Sequence, residues 1–227
     1  MERAVLDNRF VEIRAGGVTL SGNLSVPRGA RALVLFVHGS GSSRMSPRNQ
    51  YVARMLQSAG LATLLFDLLT QGEELIDSQT RELRFDIPRL FHRTVAAADW
   101  AHLQDPTGDL PIGFFGASTG AAAALIAAAD RPQDTFAVVS RGGRPDLAGD
   151  SLARVRAPLL FIVGGLDGEV IDLNRTAMAN LVPPTERALE IIPGATHLFE
   201  EPGALERVAG LASRWFIDHL PPSTGRD

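Results

Sequence analysis

The sequence predicts an α/β fold: a mostly parallel central sheet with helices on both faces and an N-terminal antiparallel hairpin. Nearly continuous apolar runs recur along the chain, as in strands that are buried on both faces. Helical patterns alternate with these runs, and that alternation is typical of a layered α/β architecture. The chain has 227 residues, of which 45 % are hydrophobic, enough for one core. We therefore expect one domain over residues 1–227.

The first two strands are predicted by the stretch "FVEIRAGGVTLSGNLSVP", in which two alternating runs flank Ala15-Gly16-Gly17. Two such runs around glycines indicate a hairpin, and their alternation indicates a sheet edge with one face in water. Six buried strands are predicted after the hairpin, at "RALVLFVHG", "LATLLFDLL", "PIGFFGA", "TFAVVS", "APLLFIVGG" and "RALEIIPG".

Helices are predicted between these strands, at 47–59, 88–103, 119–129, "VIDLNRTAMANL" and 203–220. The segment 71–84 is polar and charged, so we predict a loop with room for a short helix. The same segment, extended to Phe85, is the one candidate cover for a site. We expect residues 221–227 to form a frayed tail. Ligands of such sheets collect at the carboxyl ends of the strands, which directs attention to the loops there.

Composition excludes several classes of function. The chain has no cysteine, which excludes disulfides, thiolate metal sites and a cysteine nucleophile. No H-E-x-x-H motif or tight acidic cluster predicts a metal. A net charge of −4 without a basic run argues against nucleic-acid binding. No apolar run reaches about 18 residues and no signal-peptide core is present, so we expect a cytoplasmic protein without membrane contact. The sequence leaves a homodimer open.

Three predicted strand ends carry a matched set of polar residues. Gly116-Ala117-Ser118-Thr119-Gly120 fits G-x-S-x-G, in which the serine occupies a sharp strand-to-helix turn and the glycines avoid collisions. Asp167, in "GGLDGEV", follows the fifth buried strand, and His197, in "PGATHLFEEPG", follows the sixth. A serine hydroxyl needs a base to take its proton, and the base needs an orienting carboxylate. The sequence therefore predicts a triad of Ser118, Asp167 and His197.

Each of these residues also has a structural interpretation. Ser118 could cap the following helix, and Asp167 could be a turn residue. Asp172 is the nearest alternative acid, but it falls inside a helical pattern. His38 follows the first buried strand, and we expect it to brace its loop. The other histidines are predicted to be surface or packing residues: His92, His102 and His219.

Four motifs in order, "VLFVHGSGSS", "GASTG", "GGLDGEV" and "PGATHLFEEPG", resemble those of the α/β-hydrolase superfamily. Within it, the chain is similar to the small, lidless, dienelactone-hydrolase-like group over nearly its whole length. Dienelactone hydrolases proper carry a cysteine nucleophile, whereas this chain has a serine. The resemblance therefore implies a serine esterase that cleaves a small ester or similar acyl bond through an acyl-enzyme, without a cofactor.

The resemblance also implies an oxyanion hole. His38-Gly39-Ser40 is similar to the oxyanion segment of the superfamily, and the expected donors are the backbone N–H groups of Thr119 and Ser40. Gly41 is the alternative to Ser40. Such donors act because they already point at the oxyanion of the tetrahedral intermediate.

Four arginines lie on loops at the same predicted edge: Arg44, Arg48, Arg141 and Arg144. A guanidinium binds carboxylate or phosphate through two parallel hydrogen bonds. The first three are therefore candidates for binding an anionic group of the substrate. In the alternative interpretation the arginines pin the loops by pairing with Asp67, Glu73, Glu74 or Asp146.

Parts of the sequence are also consistent with functions other than an esterase. Gly39-x-Gly41 after a strand, with Asp67 at the end of the next, suggests a dinucleotide-binding module, but Arg44 occupies the position of the third glycine. A non-catalytic binding protein could keep the same fold. The same triad could also transfer an acyl group to an alcohol or support peroxide chemistry.

Overall fold

A computed structural model describes residues 6–222, which form one eight-stranded sheet in the order β1-β2-β4-β3-β5-β6-β7-β8. Strands β3 to β8 run parallel to one another, whereas β1 pairs antiparallel with β2 and β2 antiparallel with β4. This sheet confirms the predicted fold class. The strands are β1 (Leu6–Ala15), β2 (Val18–Pro27), β3 (Leu33–Val37), β4 (Ala62–Phe66), β5 (Ile112–Ala117), β6 (Thr135–Arg141), β7 (Leu159–Gly164) and β8 (Arg187–Ile192).

The hairpin of β1 and β2 turns at Gly16 and Gly17, whose φ angles are 56° and 90°. These values lie in the left-handed region that glycine adopts without steric cost. Alternate side chains of β1 are buried, namely those of Val11, Ile13 and Ala15. The prediction of an edge of the sheet with one solvent-exposed face is therefore confirmed for β1.

Six α-helices cover the sheet in the described part of the chain. They are α1 (Pro47–Ser58), α2 (Gln71–Thr80), α3 (Ile87–His102), α4 (Thr119–Asp130), α5 (Gly168–Asn180) and α6 (Ala204–Asp218). Short 3₁₀ segments occupy Leu83–Phe85 and Pro145–Arg154. Helices α1 and α6 pack together on one face, and α3 and α4 on the other. No helix within residues 6–222 has the length and apolarity needed to span a membrane.

The central strands are apolar throughout because both of their faces are buried. Leu35, Phe114 and Phe161 belong to the core on the α3–α4 side. Phe36, Phe115 and Ile162, one residue along each strand, belong to the core on the α1–α6 side. Each fully buried side chain of this size stabilises the fold by about 1.5–3 kcal/mol, so these two layers fix the positions of the strand ends.

The segment 71–84, predicted as a loop with room for a short helix, is mostly helical, because residues 71–80 form α2. A capping box starts this helix: the Thr70 hydroxyl accepts from the Glu73 N–H, and the Glu73 carboxylate accepts from the Thr70 N–H. The same carboxylate accepts hydrogen bonds from Arg93 on α3 at 2.6 and 2.7 Å and from Arg89 at 2.8 Å. A charged segment thus becomes a helix through a cap and ion pairs. The predicted tail mostly lies outside the described residues.

Candidate active site

Ser118 lies on a sharp turn between β5 and α4. Its φ of 49° and ψ of −123° form a conformation that non-glycine residues adopt at a cost of about 1–3 kcal/mol. The flanking glycines are required by contact: a Cβ on Gly116 would lie 2.5 Å from Ala121 Cα, and one on Gly120 would lie 2.2 Å from the Val37 carbonyl oxygen. The turn is therefore held in a strained form that only this residue pattern permits.

The backbone N–H and carbonyl of Ser118 both make hydrogen bonds, whereas its hydroxyl makes none to α4. Its N–H donates to the Arg141 carbonyl at 3.2 Å, and its own carbonyl accepts from the N–H groups of Ala121 and Arg144 at 3.1 Å. The hydroxyl makes no capping hydrogen bond to α4, so the interpretation of Ser118 as a helix cap fails. The side chain is half-buried and stands at the positive end of the α4 dipole.

His197 and Asp167 are hydrogen-bonded to each other. Nδ1 of His197 lies 2.6 Å from Oδ2 of Asp167, and the two side chains are 37 % and 17 % exposed. The carboxylate accepts from an Nδ1–H, which leaves Nε2 of the ring as a proton acceptor. Asp172, the alternative acid, is exposed and pairs with Arg175 on α5, away from this histidine.

The histidine and the serine border the same end of β6. A Cβ on Gly142 would lie 3.3 Å from Cε1 of His197, and the preceding residue, Arg141, accepts the Ser118 N–H. Within residues 6–222 the structure shows no hydrogen bond between the Ser118 hydroxyl and the His197 ring. The loops nonetheless bring all three predicted residues to one edge of the sheet.

The loop after β3 contacts the turn at Ser118. A Cβ on Gly39 would lie 2.9 Å from both the Ala117 carbonyl oxygen and Ser118 Cβ. Thr119 begins α4, so its N–H has no acceptor within the helix. The Ser40 N–H donates to Oγ1 of Thr119 at 3.1 Å, and the two hydroxyls are 2.9 Å apart. The two residues implied as oxyanion donors are thus joined to each other.

His38 braces this loop from inside the fold. Its Nε2 accepts from the Leu68 N–H at 3.0 Å, and its Nδ1 lies 3.0 Å from the Gly39 carbonyl oxygen. Burial lowers the pKa of the imidazole, which suits a neutral ring that accepts at one nitrogen and donates at the other. His38 therefore links the ends of β3 and β4.

Three of the four arginines at this edge are paired with carboxylates. Arg44 pairs with Asp67, and Arg144 with Asp146 at 2.7 Å. Arg48 pairs with Glu200 at 3.2 Å, a partner that the sequence did not suggest. These contacts favour the loop-pinning interpretation for Arg44 and Arg144.

Arg141 has no carboxylate partner in the described part of the chain. The residue is 5 % exposed, and one of its terminal nitrogens donates to Oδ1 of Asn49 at 3.1 Å. Its Nε is buried without a hydrogen-bond partner, and its Cζ lies 5.8 Å from the centroid of the Phe199 ring. Burial and the charge of Arg48 lower the pKa of Arg141 to about 10.

Sequence reasoning missed Arg84. A small pocket beside Ser40 and Thr119 is also lined by Leu68, Glu74 and Arg84. The Arg84 Nε donates to Oδ2 of the buried Asp77 at 2.6 Å, which fixes the guanidinium at the pocket wall. The sequence feature that could have revealed Arg84 is the T-x-x-E capping box at the start of α2. This helix carries Asp77, the residue that holds the Arg84 guanidinium in place. No cluster of three or more potential metal ligands occurs among residues 6–222.

The chain is similar in sequence and fold to a solved dienelactone hydrolase from Anabaena variabilis. The two chains are 58 % identical, with a TM-score of 0.92 and coverage of 95 % of this chain and 99 % of the other. A dienelactone hydrolase-like promiscuous phosphotriesterase from metagenomic libraries shares the fold at 19 % identity, TM-score 0.77 and coverage of 95 % and 99 %. This chain belongs to the dienelactone hydrolase-like group of the α/β-hydrolase superfamily. No protein-family model matches the sequence.

Curated relatives are longer than this chain. Two Mycobacterium tuberculosis proteins, provisionally named phosphoribosyl transferases, are 57 % identical to it over 215 residues. The match covers 95 % of this chain and 47 % of each relative. The chain therefore spans about half the length of the curated relatives that it matches.

Proposed function

We propose that this chain is a serine hydrolase that cleaves a small ester or similar acyl bond. The observation that carries the proposal is the 2.6 Å bond between His197 and Asp167 at the edge where Ser118 occupies its strained turn. A nucleophile, a base and an orienting acid are the parts that acyl transfer through a serine requires. The transferase name of the curated relatives applies to proteins twice as long, and the geometry at Ser118 supports hydrolysis.

In the first half of the proposed reaction, Oγ of Ser118 attacks the carbonyl carbon of the substrate. Nε2 of His197 takes the hydroxyl proton, and Asp167 stabilises the imidazolium that forms. The bond between the carbonyl carbon and the leaving oxygen then breaks. His197 gives its proton to that oxygen, which leaves as an alcohol, and the acyl group remains on Ser118.

In the second half, a water molecule attacks the acyl-enzyme. His197 takes a proton from the water as it attacks and returns it to Oγ of Ser118 as the ester bond breaks. The products are a carboxylic acid and the free enzyme. Both halves use the same residues, so the scheme needs no cofactor.

The oxyanion of each tetrahedral intermediate needs hydrogen-bond donors. The Thr119 N–H has no acceptor in α4 and is the first proposed donor. The Ser40 N–H is the second, and we propose that it shares its hydrogen between Oγ1 of Thr119 and the oxyanion. The bond at 3.1 Å between Ser40 and Thr119 supports this because it holds the two donors side by side.

The proposal is tested by reaction with a fluorophosphonate, followed by intact mass. We expect one covalent adduct on the natural chain and on Ser140→Ala, and none on Ser118→Ala. Ser140 is the matched control because it is a serine on β6 whose hydroxyl is fully buried. Turnover of p-nitrophenyl acetate should follow the same pattern. A folded natural chain that forms no adduct and turns over no ester would refute the proposal.

A further inference from the structure

Asn174 is a fully buried residue of α5 whose side chain makes a hydrogen bond outside its own helix. Its Nδ2 donates to the Val170 carbonyl at 2.7 Å, within α5, and to the Gly143 carbonyl at 3.0 Å, in the loop after β6. Both partners are acceptors, so the nitrogen of the amide, and not its oxygen, must face them. The bond to Gly143 therefore ties α5 to a distant part of the chain.

The oxygen of the same amide gains nothing from burial. Oδ1 of Asn174 is buried and has no hydrogen-bond partner within residues 6–222, and an unpaired buried acceptor destabilises a fold. A leucine has a similar size and shape and would leave no polar atom of its own unpaired. The presence of an asparagine at this position therefore depends on what its nitrogen holds.

The loop that receives the bond, residues 141–144, holds both sides of the turn at Ser118. The Arg141 carbonyl accepts from the Ser118 N–H at 3.2 Å, and the Arg144 N–H donates to the Ser118 carbonyl at 3.1 Å. Gly143 packs directly on α4, because a Cβ on it would lie 2.6 Å from a side chain in the first turn of that helix. A shift of this loop would therefore shift the turn.

The same loop borders His197. A Cβ on Gly142 would lie 3.3 Å from Cε1 and 3.4 Å from Nδ1 of the ring, and Nδ1 is the atom that bonds to Asp167. Consecutive glycines at 142 and 143 give the loop a backbone freedom that other residues lack. The Gly142 N–H donates to the Ile162 carbonyl at 2.7 Å, and the side chain of Asn174 supplies the second restraint.

We infer that Asn174 is a positioning residue, which holds the loop 141–144 in place. The position of that loop sets the distance between Ser118 and His197, and a misplacement of about 1 Å can cost about a hundredfold in rate. This inference rests on the proposed function, because the spacing of a nucleophile and a base matters only where both react. Asp167 directly precedes α5, so this one amide also ties the helix that follows the acid to the loop beside the other two residues.

The test replaces Asn174 with leucine, which keeps the size of the side chain and removes the donor. We expect kcat for p-nitrophenyl acetate, expressed per reactive site, to fall about tenfold or more in Asn174→Leu. The rate of fluorophosphonate adduct formation should fall in parallel. Reactive sites are counted by intact mass after the reaction is complete. Asn180→Leu is the matched control, because Asn180 is exposed at the end of the same helix, and it should react as the natural chain does.

Asn174→Thr separates the two hydrogen bonds of the amide. A threonine hydroxyl in a helix can bond the carbonyl four residues earlier, here that of Val170. It is one bond shorter than the amide, and we expect it not to reach Gly143 as well. Asn174→Thr should therefore lose kcat as Asn174→Leu does. If the leucine variant does not fold, a natural kcat in Asn174→Thr overturns the inference.

Hydrogen exchange followed by NMR shows whether the loop is what moves. The N–H groups of Gly142 and Arg144 should exchange several-fold faster in Asn174→Leu than in the natural chain. Ser140→Ala is the second control, because it removes a buried hydroxyl at the start of the same loop that has no hydrogen-bond partner among the described residues. That variant should keep the natural exchange rates and the natural kcat.

The outcomes distinguish this inference from the proposed function. Slower turnover per reactive site together with faster exchange in the loop would support it. A natural kcat per site in Asn174→Leu, whether the loop exchanges faster or fewer sites react, would reduce Asn174 to a structural residue and leave the hydrolase intact. A natural chain that forms no adduct and turns over no ester would refute the hydrolase, and the positioning role would fall with it.

Discussion

His197 and Asp167 are thirty residues apart in the chain, and their side chains are joined by a hydrogen bond of 2.6 Å between Nδ1 and Oδ2. The bond sets the tautomer of the ring, because a carboxylate accepts only from a protonated nitrogen. The free nitrogen, Nε2, is then the one that can act as a base. Asp167 is therefore expected to act through the orientation and charge of His197.

Replacement of the acid tests this role. Asp167→Asn should lower kcat for p-nitrophenyl acetate by about 10³- to 10⁴-fold, since an amide can hold the imidazole in the wrong tautomer. Steady-state kinetics from pH 5 to 9 would measure the loss. Asp172→Asn is the matched control on the neighbouring helix and should leave kcat unchanged. A value of kcat in Asp167→Asn within a few-fold of the natural chain would remove Asp167 from the mechanism.

The hydroxyl of Thr119 is predicted to position the oxyanion loop. Thr119→Val keeps the shape but removes the acceptor of the Ser40 N–H, so we expect kcat to fall about tenfold or more. Thr119→Ser keeps the hydroxyl and should stay within a few-fold of the natural chain. Separate measurement of kcat and KM checks that Thr119 acts through the oxyanion hole, because loss of an oxyanion donor lowers kcat rather than raising KM. Equal kcat in both variants would refute it.

Gly120 is predicted to be irreplaceable for steric reasons. Gly120→Ala would place a Cβ 2.2 Å from a backbone oxygen, and we expect a loss of more than about 3 kcal/mol in the free energy of unfolding. Gly210→Ala is the control, because that glycine is in α6 with open space around it. That variant should gain about 0.4–1 kcal/mol. Urea unfolding measures both, and a Gly120→Ala chain of natural stability would show that the turn can relax.

Glu73 is predicted to make stability depend on pH in the acid range. Hydrogen bonds and the charge of Arg93 lower the pKa of Glu73 from 4.5 to about 2. Because the folded-state pKa is the lower one, the stabilisation is complete above about pH 4.5 and is lost as pH falls towards about 2. Its size is on the order of 3 kcal/mol.

The measurement compares the natural chain with Glu73→Gln by urea unfolding between pH 7 and pH 3. The difference in free energy of unfolding should be largest at neutral pH and should shrink below about pH 4.5. Glu206→Gln, which changes an exposed carboxylate on α6, should show a small difference at every pH. A Glu73→Gln difference that is constant with pH would show that the charge of Glu73 is not the cause.

The sheet and the positions of Ser118, Asp167 and His197 could be predicted because burial on both faces leaves continuous apolar runs. The end of each run marks the carboxyl end of a strand, and in a parallel sheet these ends lie at the same edge. Helix α2 could not be predicted from its own apolar pattern, since it is stabilised by ion pairs with α3. Its capping box at Thr70 and Glu73 was readable from the sequence and indicates a helix that begins after Thr70.

The arginines at the edge of the sheet show a different limit of prediction from sequence. In the sequence, four of them look equivalent, since each follows a strand end. The structure separates them by partner: Arg44 and Arg144 contact carboxylates, whereas Arg141 is buried against Asn49 and Phe199. Which side chains meet depends on the paths of the loops, and a one-dimensional pattern does not encode those paths. Arg84 differs from these four, because its partner Asp77 is only seven residues away and lies on the helix that the capping box at Thr70 indicates.

The positive φ of Ser118 means that the proposed role of this residue as nucleophile and the stability of the chain make opposite demands. At φ 49° and ψ −123°, glycine is the residue that would relieve the backbone, and glycine has no hydroxyl. A laboratory evolution experiment that selected for heat resistance alone would be expected to enrich Ser118→Gly, and on the proposed mechanism such variants would lack the nucleophile. On that mechanism, gains in thermal stability that preserve the serine have to come from positions outside the turn.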